Sequence, residues 1–81
     1  MRATAVRRHL ERLGIPCRGV TTHPGMAGIV VINDALHVCI FPDGWMRLGE
    51  LIGPGRFRFA PATRSVDIVA WQIRQRLNAT P

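Results

Sequence analysis

Gly28-Ile29-Val30-Val31-Ile32-Asn33-Asp34-Ala35-Leu36-His37-Val38-Cys39-Ile40-Phe41-Pro42-Asp43-Gly44-Trp45-Met46-Arg47-Leu48 decides the fold. Three apolar runs are separated by two turn signals. Ile29 to Ile32 is continuous and rich in β-branched residues, which suits a strand covered on both faces. Asn33-Asp34 predicts a two-residue turn, because both residue types tolerate positive φ. In Pro42-Asp43-Gly44, Pro presets φ, Asp bonds the local backbone and Gly accepts the left-handed position. The stretch therefore reads as three antiparallel strands: Gly28 to Ile32, Leu36 to Phe41 and Trp45 to Leu48.

These turns set registers, and registers sort side chains into faces. A three-residue loop at Pro42 to Gly44 puts Phe41 opposite Trp45, Ile40 opposite Met46, Cys39 opposite Arg47 and Val38 opposite Leu48. A two-residue turn at Asn33-Asp34 puts Ile32 opposite Ala35, Val31 opposite Leu36 and Val30 opposite His37. One face then collects Ile29, Val31, Leu36, Val38, Ile40, Met46 and Leu48, with Phe57 and Phe59 joining by alternation; this is the expected core. The other collects Val30, Ile32, His37, Cys39, Phe41, Trp45 and Arg47, extended by Arg56 and Arg58.

Outward from this centre, Thr4 to Leu13 carries apolar residues at Val6, Leu10 and Leu13, the spacing of one helix stripe. Gly14 occupies the left-handed cap position and Pro16 blocks continuation. Cys17 to Thr22 reads as a short strand ended by His23-Pro24-Gly25. Gly49 to Gly55 reads as a loop with Leu51-Ile52 at its centre, a segment able to fold over the second sheet face. Arg56 to Ala60 alternates as a half-buried strand. Ser65 is an N-cap for a closing helix, Val66 to Leu77, with a wide stripe of Val66, Val69, Ala70, Ile73 and Leu77. Asn78 to Pro81 is expected to fray.

The expectation is one α+β domain over residues 1–81. It has an N-terminal helix, an antiparallel sheet of four to five strands and a C-terminal helix, with both helices on one sheet face. The stretch before the second helix is Ala62-Thr63-Arg64-Ser65-Val66. The helix, strands, helix order resembles the topology of double-stranded-RNA-binding domains. Those domains carry a lysine-rich start on the second helix, whereas this stretch has one basic residue, so no family is assigned.

All eleven basic residues are arginine; against five acids they give a net charge of +6 and a pI near 11.6. A GC-rich coding sequence accounts for the missing lysine. It does not account for the positive surplus, which calls for a partner or a solubility role. Arginine binds phosphate in a planar fork and stacks on flat rings. No apolar run is long enough to span a bilayer, and no signal-peptide segment follows the first residues. The expected setting is a cytoplasm without membrane contact, and Cys17 and Cys39 are expected as thiols.

No catalytic signature is present. His37 and Cys39 lie two apart on one strand, too few for a zinc site, and Gly53-Pro54-Gly55 lacks the pattern of a phosphate cradle. No cofactor or metal is expected. The reading is a small non-enzymatic binding module, such as an accessory protein of a GC-rich bacterium, phage or plasmid. Its binding face carries Phe41, Trp45, Arg47, Arg56, Arg58 and His37, on which single-stranded bases could stack. Arg7, Arg8 and Arg12, with Arg2, make a second basic patch on the first helix. The same sheet face could instead bind a protein or a second copy of the chain. A small nuclease toxin using His23 or His37 is a third class.

Overall fold

The computed structural model describes residues 2–79. The element order is α1 (Ala3–Arg12), β1 (Gly19–Thr21), β2 (Gly28–Val31), β3 (Leu36–Ile40), β4 (Met46–Gly53), β5 (Arg56–Phe59) and α2 (Val66–Asn78). The strands form one antiparallel meander in the order β1-β2-β3-β4-β5. The sheet thus has five strands, at the upper end of the sequence expectation. Both helices pack on one of its faces. Val6 and Leu10 of α1 and Val69, Ala70 and Ile73 of α2 are buried in one cluster with Val30, Val38, Ile40, Met46 and Leu48.

The ends of α1 are set by local chemistry. Gly14 takes φ +87°, its N–H donates to the Glu11 carbonyl, and the Ile15 N–H reaches back to the Leu10 carbonyl. This is the Schellman arrangement, in which a left-handed residue satisfies the last carbonyls of a helix. Ile15, the residue after it, is buried. At the other end, Ala3 presses on β2. A Cβ at Gly28 would stand 2.6 Å from the Ala3 Cβ, so only glycine lets the helix approach this closely. Ser65 caps α2 as expected, its Oγ accepting from the Ile68 N–H at 3.3 Å.

The β3–β4 register is as the sequence predicts: Ile40 opposite Met46, Cys39 opposite Arg47 and Val38 opposite Leu48. The Phe41 N–H donates to the Trp45 carbonyl across the loop. The β2–β3 register differs by one residue. Val31 opposes His37 and Val30 opposes Val38. A two-residue turn would need positive φ at Asn33 and Asp34. Among the described residues no non-glycine residue has positive φ. The Asn33 Oδ1 instead accepts the N–H groups of Ala35 and Leu36, both at 2.8 Å, and seats a longer loop. The slip turns Val30 and Ile32 into the core and moves Ile29 and Val31 to the opposite face.

Three further corrections concern the C-terminal half. Gly49 to Gly55 is not a covering loop: Gly49 to Gly53 continues β4, and a tight turn leads into β5. Phe57 and Phe59 are not core residues, for they pair with Leu51 and Gly49 on the face away from the helices. Leu77 is exposed rather than part of the α2 stripe. Asn78 is the last helical residue, and the expected fraying at Thr80 and Pro81 lies outside the described residues. Cys17 and Cys39 are free thiols. No helix is long and apolar enough to cross a membrane.

Candidate nucleic-acid interface

The sheet face opposite the helices is open, and its middle is paved with rings. Gly49 lies between His37 on β3 and Phe59 on β5. With no Cβ at Gly49, the rings of β5 settle over β4. A Cβ built there would stand 3.0 Å from Phe59 Cε1 and 3.5 Å from Phe57 Cδ1. Aromatic cover of a strand glycine is a recognised way to pin a sheet register. The β4–β5 pairing is irregular between Leu51 and Gly53, so the phase of β5 is set by this junction and the Gly55 turn.

The result is a line of flat groups. The His37 and Phe57 ring centroids are 5.7 Å apart, those of Phe57 and Phe59 6.2 Å, and the Arg47 guanidinium carbon lies 5.6 Å from the Phe59 centroid. The Arg47 Nε also donates to the Ala60 carbonyl at 3.3 Å, which fixes the guanidinium beside the ring. Just before β4, Trp45 carries Arg64 at 4.9 Å from its ring. Phe57, Phe59 and Trp45 keep 41%, 45% and 40% of their surface exposed. These are large values for aromatic residues, which bury readily in cores and interfaces.

Of the expected site residues, His37, Arg47 and Trp45 lie on this face, and the half-buried Phe41 sits opposite Trp45. Arg58 does not. Its guanidinium donates to Glu50 at 2.8 Å, and Arg76 of α2 lies 3.6 Å from the same carboxylate. Glu50 therefore draws Arg58 to the helix side, and Arg56 follows it by alternation. Phe57 and Phe59, assigned to the core by sequence, lie at the centre of the open face. The signal that places them is Glu50: it continues the inward row of Met46 and Leu48, so it needs a cation opposite, and Arg58 is its cross-strand partner.

None of the five acids projects from the open face. Asp34 and Asp43 lie in hairpin loops, Glu11 and Asp67 on the helices, and Glu50 on the inner side. Asp34 is further occupied by Arg18. On α1, Arg7 lies 3.6 Å from Glu11, while Arg8 and Arg12 are exposed.

Beside the rings, toward Ile29 of β2, the open face is deepened into a cavity of about 210 Å³. Phe57 and Phe59 wall it from β5, His37 and Cys39 from β3, and His23 and Met26 of the 22–27 loop close it. Burial pushes the Cys39 thiol above its ordinary range, so it stays protonated at neutral pH. Among the described residues no three His, Cys, Asp or Glu side chains are grouped to hold a metal ion.

No protein-family model, curated protein or solved structure matches this chain.

Proposed function

We propose that this chain is a non-catalytic module that binds single-stranded nucleic acid through the open sheet face. The observation that carries the reading is the unbroken run of planar groups His37, Phe57, Phe59 and Arg47. Every nucleobase has a π-face, so a row of exposed rings accepts bases with little regard to sequence. Arg47 and Arg64 stand beside rings, where a guanidinium can stack and still meet a phosphate. The net charge of +6 steers a polyanion toward the chain, and no carboxylate on the face repels it. Bases paired inside a duplex cannot reach a flat sheet face, which favours single strands over double.

The rival reading gives the same face to a protein or to a second copy. Pairing of two chains edge to edge through β5 does not suit that reading. Antiparallel pairings centred on Arg56, Phe57 or Arg58 set arginine against arginine, and like charges directly opposite destabilise a sheet. Catalysis is left out of the proposal because no carboxylate borders the cavity to orient His23 or His37.

The test is fluorescence anisotropy of a labelled single-stranded oligonucleotide at about 50 and 200 mM salt. Binding should weaken steeply at the higher salt and fall roughly tenfold or more in Phe59→Ala. No binding at the lower salt, together with a dimer mass by light scattering, would overturn the proposal.

A further inference from the structure

The cavity beside the ring row, between His37, Phe57 and Phe59 and the 22–27 loop, differs from the rest of the face. The exposed rings offer surfaces to lie on, whereas the cavity offers walls. Its volume of about 210 Å³ exceeds the ~150 Å³ of an apolar protein cavity that admits a benzene ring. One wall is aromatic, from Phe57 and Phe59; the opposite boundary is the 22–27 loop. Two imidazoles border it. The His23 Nδ1–H donates to the Pro24 carbonyl at 2.8 Å, which leaves Nε2 outside that bond. The His37 ring leans on Phe57 and has no hydrogen-bond partner among the described residues. A cavity of this size with an aromatic wall and two imidazoles at its border suits a planar nitrogen heterocycle, whose ring can stack and whose polar edge the imidazoles can meet.

We infer that this cavity holds one nucleobase, turned out of the strand and inserted between Phe57 and Phe59 and the 22–27 loop, with its polar edge toward His23 and His37. The inference rests on the nucleic-acid reading of the face. It adds that one nucleotide of the bound strand is held by insertion, while its neighbours only stack. Cys39 lies at the base of the slot, buried and protonated, as a neutral floor.

Two measurements test it. In the first, ring and imidazole shifts of the unaltered protein are followed by NMR as a nucleoside 5′-monophosphate or ribose 5-phosphate is added. Saturable shifts at His23, His37, Phe57 and Phe59 with the mononucleotide alone would support insertion. The same shifts with ribose 5-phosphate, or none with either, would overturn it. In the second, Cys39→Leu fills the slot from its floor while leaving Phe59 and Arg47 in place. Oligonucleotide affinity should fall about tenfold, with the salt dependence kept. Unchanged affinity in a folded Cys39→Leu protein would overturn the inference but leave the stacking face intact. Absence of oligonucleotide binding to the unaltered protein would remove both. If Cys39→Leu does not fold, the mononucleotide shifts decide.

Discussion

The two faces of this sheet share aliphatic residues but only one of them carries rings. The helix-covered face uses Val30, Val38, Ile40, Met46 and Leu48, all fully buried or nearly so. These aliphatic shapes interlock with Val6, Leu10, Val69 and Ile73, and their cost is low only when water is wholly excluded. The open face carries Ile29, Val31 and Leu51 as well, and adds the rings of His37, Phe57, Phe59 and Trp45, interleaved with Arg47. Flat rings need no interlocking, and they keep their stacking surface ready for a planar ligand. Charge is divided the same way. Glu50 ties Arg58 and Arg76 together at the inner edge, whereas Arg47 and Arg64 lie against rings on the outside. One face holds the chain together and the other is left open.

If that division is real, it should break under substitution in a graded way. Leu48→Ala empties a buried site and should cost about 2–5 kcal/mol, a large share of the stability of a domain this small. Urea unfolding should show it as an early midpoint. Gly28→Val forces α1 away from β2 and should cost about 1–3 kcal/mol by the same measurement. Phe59→Ala should do the reverse: under about 1 kcal/mol of stability, but a roughly tenfold or greater loss of oligonucleotide affinity. A Phe59→Ala protein that unfolds like Leu48→Ala would collapse the distinction between the faces.

Finer tests follow. Arg47→Ala should lower the slope of log affinity against log salt by about 1, while Arg58→Ala should leave that slope unchanged because Arg58 faces Glu50. Smallest of all is a difference in thiol chemistry. Burial raises both thiols, but Cys17 is the more exposed. Alkylation monitored by mass should therefore modify Cys17 first, and bound oligonucleotide should slow Cys39 further.

The sequence reveals the architecture better than the faces. Strand and helix positions follow from turn residues, caps and periodicity, all local. The β3–β4 hairpin is legible because Pro42, Asp43 and Gly44 each favour one geometry. The β2–β3 hairpin is not, because Asn33 supports two: a positive-φ turn and an Asx turn. The chain takes the second, and one residue of register exchanges Val30 for Ile29 and Ile32 for Val31. The phase of β5 is less legible still. Arg-Phe-Arg-Phe alternates equally well either way up, and the choice depends on the irregularity near Ile52 and the fit of Phe59 over Gly49. Arg47, His37 and Trp45 fall on the open face as the sequence predicts because the β3–β4 register is right; Phe57 and Phe59 fall on the face opposite to the predicted one because theirs is a tertiary decision.

The most direct test of the account is to map a single-stranded oligonucleotide onto the protein by NMR shift perturbation at low salt. The account predicts the largest changes at Phe57, Phe59, His37 and Arg47, with Arg8 and Arg12 of α1 nearly silent. Changes concentrated on α1, with the rings of the open face unmoved, would contradict it.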